Sequence, residues 1–301
     1  MKVPFADKHA VIRAAVLQMN TTEDVERNES TALALIERAA SRGARFLVLP
    51  EKFHYLGTAE GAQAHKESLD GRLMARMSQA ARDHQVYLVA GSIWEKAEGE
   101  RRAYNTSVFF GPDGRQLAVY RKLHMFDVEV GGHVYRESDG CVPGDRVVAA
   151  RVEGEAADEA GAPLEVVVGL SVCYDLRFPE LYRALALLGA HILVVPAAFT
   201  ETTGRDHWEV LLRARAIENQ AFVLAANQYG THGAGKESYG RSMIIDPWGV
   251  VIARMSDGEG VALADLDLNY LSRVRRHLPA LEHRMPDAYE RRVVEAAPTE
   301  R

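Results

Sequence analysis

Gly43-Ala-Arg-Phe-Leu-Val-Leu-Pro50 returns later in the chain as Gly189-Ala-His-Ile-Leu-Val-Val-Pro196. Each copy follows a segment with helical apolar spacing: residues 26–42, with Leu33, Ile36 and Ala40, and residues 179–188. Glycine stops each helix because it enters the left-handed region without a Cβ clash, and proline ends each strand because it lacks the N–H a ladder needs. A second echo pairs His84-Gln-Val-Tyr-Leu-Val-Ala90 with Asn219-Gln-Ala-Phe-Val-Leu-Ala225, offset by 135 residues (219 − 84). A third pairs the turn Phe109-Phe-Gly-Pro-Asp-Gly114 with Ile244-Ile-Asp-Pro-Trp-Gly249, again offset by 135 (244 − 109). Echoes in one order predict two structurally similar halves, each with two helices and a sheet. Such halves bury their apolar faces sheet on sheet with helices outside, an α/β chain folded as a four-layer α-β-β-α sandwich. A chance likeness between common helix–strand units is the alternative.

Between the halves, residues 146–152 and 164–172 read as a hairpin, joined by an acidic, Gly- and Ala-rich loop at 153–163 that is expected to be exposed. Residues 269–278 read as a short basic helix, and 292–301 hold too little apolar content to pack by themselves. With 47% hydrophobic and 26% charged residues, 301 residues suffice for a substantial core. A net charge of −6 gives no reason to expect nucleic acid, whose binders carry a basic face. The longest apolar runs, such as 192–199, fall short of the roughly 20 residues that cross a bilayer. Asp7, Lys8 and Arg13 interrupt what a secretory leader would need as an apolar core, so a cytoplasmic protein with no membrane partner is expected. In that compartment thiols stay reduced, which makes Cys141 and Cys173 candidates for chemistry rather than for a disulfide.

No G-x-S-x-G elbow, phosphate-binding G-x-x-x-x-G-K-[ST], H-E-x-x-H or C-x-x-C occurs, which weakens serine-hydrolase, nucleotide and metal readings. Three polar residues stand at the ends of apolar strands instead. Glu51 follows Leu47-Val-Leu-Pro50; Lys122 lies in Ala118-Val-Tyr-Arg-Lys-Leu-His124, where alternation places Tyr120, Lys122 and His124 on one face; Cys173 ends Val166-Val-Val-Gly-Leu-Ser-Val172. Singly, each has a plain alternative: a helix cap, a charged edge, an inert buried thiol. Cys141, in Gly140-Cys-Val-Pro-Gly144, has no such company and reads as a loop thiol. Trp208, Leu211, Leu212 and Ile217 follow helical spacing and read as core or subunit contact.

Leu-Pro-Glu51, Tyr120-Arg-Lys-Leu-His-Met-Phe-Asp127 and Ser171-Val-Cys-Tyr-Asp-Leu-Arg-Phe-Pro-Glu180 together resemble the three catalytic motifs of the nitrilase, or carbon–nitrogen hydrolase, superfamily, in that family's order. The resemblance covers about residues 12–289 and implies a hydrolase domain over 9–272 with a C-terminal extension, a short helix and tail, over 273–301. Cys173-Tyr-Asp-Leu-Arg-Phe-Pro-Glu180, the stretch from His207 to Glu218, Ser238-Tyr-Gly-Arg-Ser-Met243 and Leu268-Asn-Tyr-Leu271 look most like its deaminated glutathione amidase and ω-amidase branch. Tyr174 and Asp175 follow the cysteine where true nitrilases tend to carry Trp and Glu, which favours amides. The resemblance implies Cys173 as nucleophile, Glu51 as base, Lys122 as oxyanion partner aided by the Tyr174 N–H, and no cofactor. The family's second glutamate maps to Glu137, which the resemblance implies is catalytic, with Glu51 or Glu137 activating the water that cleaves the thioester, although the approach Val130-Gly-Gly-His-Val differs; an ordinary surface carboxylate is the alternative. Arg177 is a candidate for holding a substrate carboxylate, or else for an ion pair with Glu180 or Asp175. His124 is a candidate for positioning Lys122 or Glu137, or else a histidine bonded to backbone. The expected partners are a small amide and water, within a homodimer or larger homo-oligomer built through helices near the nucleophile. An N-carbamoyl compound, another ω-amide or a nitrile remains an alternative substrate, and a non-catalytic binding subunit an alternative role.

Overall fold

The structure, a computed structural model, describes residues 10–130, 132–157 and 163–291. The first half runs β1 (Val11–Gln18), α1 (Val25–Ser41), β2 (Phe46–Val48), α2 (Ala59–Ala64), α3 (Arg72–His84), β3 (Tyr87–Val89), β4 (Ile93–Lys96), β5 (Ala103–Phe110), β6 (Gln116–Arg121), β7 (Asp127–Val130), β8 (His133–Arg136) and β9 (Cys141–Val142). The second runs β10 (Ala149–Ala157), β11 (Pro163–Leu170), α4 (Pro179–Leu187), β12 (Ile192–Ala197), α5 (Glu201–Thr203), a π-helical turn at Gly204–Trp208, α6 (Glu209–Asn219), β13 (Phe222–Asn227), β14 (Tyr229–Thr231), β15 (Glu237–Tyr239), β16 (Met243–Ile245), β17 (Val251–Arg254), β18 (Gly260–Asp267), α7 (Leu268–His277) and α8 (Pro286–Arg291). The expected hairpin before the nucleophile is present, but β10 continues to Ala157, so its strands reach further than the sequence indicates. The middle of the loop expected at 153–163, and the tail at 292–301, lie outside the described residues.

The 135-residue offset is a topological repeat. In the first sheet β1, β2 and β3 are parallel neighbours and β5 adds antiparallel to β3; in the second, β11, β12 and β13 are parallel and β16 adds antiparallel to β13. Tyr87 pairs with Phe46 as Phe222 pairs with Ile192. The halves are not closed, however. β18, from the end of the second half, pairs antiparallel with β1 along its whole length, from Val11 opposite Asp267 to Gln18 opposite Gly260.

Strand alternation sorts the side chains into layers. Along β1 and β2, Ala14, Val16, Phe46 and Val48 face the second sheet and join its core, whereas Ala15, Leu17, Leu47 and Leu49 join Ile36 of α1 and Met77 of α3. Strands of the second sheet are buried on both faces, with Leu185 of α4 and Leu212 of α6 covering the outside. Helix, sheet, sheet, helix is therefore the order of layers, as the sequence predicts.

The strand ends carrying Glu51 and Cys173 meet at one rim of this sandwich. Glu51 is fixed from both halves: Gln228, after β13, donates from Nε2 to the Glu51 carbonyl (2.9 Å) and accepts from the Thr21 N–H (3.0 Å). On the other side Gly91, at φ +47°, lies so close to Pro50 that a Cβ there would come within 2.0 Å of the Pro50 carbonyl oxygen. We expect Gly91→Ala to lower stability by about 2–5 kcal/mol, combining backbone strain with overpacking, measured as a fall in the urea midpoint. A midpoint unchanged within error would mean that this approach is not needed.

Candidate active site

Glu51, Lys122 and Cys173 converge although 122 residues separate the first from the last (173 − 51). Glu51 leaves β2 through Pro50 and is buried; Lys122 comes directly after β6 and is equally buried. Alternation sends the preceding Arg121 the other way, where it pairs with Glu95 by two bonds of 2.8 and 2.5 Å. Gly144 admits this segment closely: its N–H donates to the Lys122 carbonyl at 2.8 Å, and a Cβ would come within 2.3 Å of the Arg121 carbonyl. β11 stops at Leu170, so Cys173 does not end the strand itself but opens a 3₁₀ turn, Cys173–Arg177, at φ +49°. A non-glycine residue in the left-handed region is strained and persists only where its surroundings over-determine it. Here the strain lifts the thiol away from the strand and toward Glu51.

Around Lys122 the charges form a closed group. Its Nζ donates to Glu137 Oε2 (2.6 Å) and Glu51 Oε1 (3.2 Å). Lys52 Nζ donates to Glu137 Oε1 (2.9 Å), and the Asn105 amide of β5 bridges the two carboxylates at 2.7 and 3.1 Å. Phe126 N–H completes Glu137 at 3.0 Å, and Ala198 N–H reaches Glu51 Oε2 from the end of β12 at 2.8 Å. Burial alone raises a carboxyl pKa. At Glu51 it is outweighed by Lys122 and then Lys52, and at Glu137 by the same two lysines, so both carboxyls are held below their ordinary range. Burial pulls the two ammonium groups down, but Glu137 and then Glu51 more than restore them, and both sit above their usual value. The Cys173 thiol, in hydrogen-bond reach of Glu51, is pushed well up by burial and then by the Glu51 charge. At rest the site holds two carboxylates, two ammonium groups and a neutral thiol.

Several expectations change in detail. Glu137 is no surface carboxylate; it sits on a one-turn 3₁₀ segment, Glu137–Asp139, after the β7–β8 hairpin. His124 contacts neither Lys122 nor Glu137. Its Nδ1 lies 2.7 Å from Asp175 Oδ1 and its ring stacks on Phe178 with centroids 3.6 Å apart. Arg177 pairs with neither Glu180 nor Asp175 among the described residues; its guanidinium lies over Phe199 and Tyr174, 3.3 Å from His207. Tyr174 lies edge-on to Phe126 and Phe178. Cys141 is not a loop thiol: it pairs with Ala103 in β9, fully buried, and burial pushes it up to about 12. Trp208 and Leu212 are core, whereas Ile217 is exposed.

Three residues escaped the sequence reading. Lys52 and Asn105 tie the carboxylates together. Asp175, fully buried, accepts from Tyr120 Oη (2.6 Å), from the N–H groups of Val172 (2.9 Å) and His124 (3.1 Å) and from the His124 ring. It thereby clamps the Lys122 segment to the nucleophile turn. Alternation within the Lys122 strand does place Tyr120 on the same side as Lys122, a signal that this face is polar. Above these residues opens a cavity of about 790 Å³, floored by Glu51, Lys122 and Cys173 and walled by Trp94, Tyr135 and Phe199.

Removing one partner of a buried ion pair exposes the other uncompensated. Glu137→Gln is therefore expected to cost about 3–5 kcal/mol of stability. The depressed carboxyls contribute stability that is complete above 4.5 and lost as pH falls through their folded values; the raised lysines contribute stability that is complete below 10.5 and lost as pH rises further. The gap between wild type and Glu137→Gln in urea unfolding should thus be flat between these limits and shrink below the lower one. A gap that grows toward acid would contradict the paired-ion assignment.

The fold and this geometry can be set beside known proteins. A family model for carbon–nitrogen hydrolases matches residues 13–276. A deaminated glutathione amidase of Homo sapiens is 44% identical over 280 residues, 91% of this chain and 83% of that protein. The crystal structure of Saccharomyces cerevisiae Nit3, a member of branch 10 of the nitrilase superfamily, superposes with a TM-score of 0.78 at 28% identity, covering 91% of this chain and 97% of that one. A mutant amidase from Nesterenkonia sp. AN1, whose active-site cysteine has undergone Michael addition of acrylamide, superposes with a TM-score of 0.71 at 27% identity, covering 89% and 98%. Shared over most of its length by sequence and by fold, these likenesses place the chain in the carbon–nitrogen hydrolase family.

Proposed function

We propose that Cys173 attacks the carbonyl carbon of a small carboxylate-bearing amide, with deaminated glutathione as the substrate that fits best. The observation carrying this reading is the neutral thiol held against an ionised carboxylate, with an ammonium group beside both. Glu51 accepts the thiol proton as the sulfur–carbon bond forms. Lys122 Nζ and the Tyr174 N–H donate to the oxygen that gains charge; each such donor is worth about 3 kcal/mol of barrier. Collapse of the tetrahedral intermediate breaks the C–N bond, and Glu51 returns its proton to the departing amine, leaving a thioester. Water then gives a proton to Glu51, its oxygen displaces the thiol as carboxylic acid forms, and Cys173 recovers its proton.

Glu137 takes a different role from Glu51. Four donors occupy it, so it serves as the fixed counter-charge that keeps Lys122 aimed and charged, and Glu51 alone carries protons. The substrate assignment rests on the human relative's name and on the cavity size, which suits a ligand of this class. Both cysteines are free thiols. Among the described residues no helix is long and apolar enough to cross a membrane. A homo-oligomer is supported by Leu187 and Leu188 at the end of α4 and Val210 and Ile217 on α6, which are exposed on neighbouring helices.

Purified protein offered deaminated glutathione, α-ketoglutaramate, an N-carbamoyl amino acid and a simple nitrile should turn over the first most efficiently. Cys173→Ala and Glu51→Gln should each lose at least about 10³-fold in kcat, as removal of a nucleophile or its base does, while Lys122→Met should lose about 10²–10³-fold. Turnover by Cys173→Ala equal to wild type would sink the mechanism, and preference for the nitrile would sink the substrate. Val210→Glu should lower the sedimentation coefficient to that of a monomer; a monomeric wild type would remove the oligomer.

A further inference from the structure

Six cationic side chains and five carboxylates line the cavity, in a chain whose overall balance is −6. Nearest the thiol, Lys52 and Lys122 are matched by Glu51 and Glu137. Lys236 is the third lysine of the wall, and it forms no ion pair among the described residues. The adjacent Glu237 also faces the cavity, yet its carboxylate accepts from Thr231 Oγ1 (3.2 Å) across the hairpin.

The segment that presents Lys236 is pinned. β14 and β15 pair from Tyr229 opposite Tyr239 to Thr231 opposite Glu237, and Ser238 bridges to Thr200 on the opposite wall. The His232 N–H donates to the Lys236 carbonyl at 2.7 Å. His232 is itself buried, and burial pushes it down to about 4, so its neutral ring donates from Nδ1 to the Thr21 carbonyl (2.8 Å) and accepts at Nε2 from Ser238 Oγ (2.9 Å). Gly233 packs so closely on Gly57 that a Cβ would come within 2.8 Å of the Gly57 Cα. A backbone fixed at this many points holds an ammonium group that has no carboxylate of its own. The Lys236 side chain is exposed along the cavity wall; partial desolvation, and then the charge of Lys52, lower its pKa against a smaller opposing pull from Glu137, so an incoming anion is favoured beside it.

We propose that Lys236 is a specificity-determining residue that receives a carboxylate of the amide substrate, an inference that rests on the amide hydrolysis at Cys173 proposed above. With Lys52 and Lys122 already neutralised, Lys236, with Arg101 and Arg136 also on the wall and unpaired among the described residues, suits a substrate that brings a carboxylate into the cavity and disfavours one that brings an ammonium group there. Lys236 touches no reacting atom in this scheme and leaves proton transfer to Glu51.

The test compares kcat/KM for α-ketoglutaramate and deaminated glutathione with that for a matched primary amide carrying a methyl group in place of the carboxylate. Wild type should favour the carboxylates. In Lys236→Met that preference should fall by about 10- to 100-fold, the range for a hydrogen bond to a charged group, mainly through KM. Lys236→Arg should restore most of it, and Lys236→Glu should depress it below Lys236→Met. A preference that survives unchanged in Lys236→Met, or a Lys236→Arg as impaired as Lys236→Met, overturns the assignment of Lys236 and leaves the substrate class standing. A wild type that hydrolyses the methyl analogue as well as the carboxylates overturns both.

Discussion

Four charges buried side by side govern this site. The Glu51, Lys122 and Glu137 side chains have almost no contact with solvent and Lys52 little, and desolvating each ion costs on the order of several kcal/mol. Such a group persists only if partners offset that cost. The fold supplies them from separate elements: Asn105 from β5, Phe126 from the approach to the β7–β8 hairpin, Ala198 from the end of β12. The strand ends of both halves must therefore meet at one rim, and the swapped strand β18, which ties the chain end to β1, helps hold them there.

This group divides the two glutamates by environment rather than by type. Glu137 is saturated by two lysines, an amide and a backbone N–H, whereas Glu51 meets one lysine, the same amide, the Ala198 N–H and the Cys173 thiol. A saturated carboxylate holds charge; one with a lone pair directed at a nucleophile can take a proton. Lys52 sharpens the division by drawing Glu137 onto its own ammonium, with Trp94 closing the far side at 4.2 Å. The same pairing leaves Lys236 as the lysine of the cavity wall that forms no ion pair among the described residues.

Much of this was legible in the sequence. Glycine and proline at matched places marked the two halves, because each is demanded by backbone geometry that no other residue meets as cheaply. Glu51, Lys122 and Cys173 stood out because polar residues directly beyond apolar strands are uncommon enough to signal work. Lys52 did not, since a lysine beside a glutamate ordinarily reads as a solvated surface pair. Asn105 was hidden inside Tyr104-Asn-Thr-Ser-Val, where its neighbours alternate with no regard to which face meets the other half. Asp175 stands in the sequence as a departure from a motif and an ion-pair candidate for Arg177; that it clamps two distant segments depends on contacts 51 and 55 residues away. His124 turns to Asp175 and Phe178, and Arg177 to Phe199 and Tyr174, rather than to the ionic partners the sequence offers, because proximity in sequence to the reacting residues says nothing about which way a side chain leaves the turn.

The resting protonation states impose a last constraint on the chemistry. A carboxylate held below its usual range is a weak base, and a thiol held above its usual range is a weak acid, so full transfer of the proton before attack runs uphill. The substrate changes both sides of that balance. In the proposed mechanism, as the carbonyl oxygen gains charge beside Lys122, the ammonium turns part of its hydrogen bonding from Glu51 to the oxyanion, and Glu51 becomes a better base. As sulfur bonds to carbon, the thiol loses the electron pair that would otherwise reclaim the proton. Proton transfer, attack and the shift of Lys122 thus favour one another only when an amide is in place, which keeps the thiol protonated and unreactive until then.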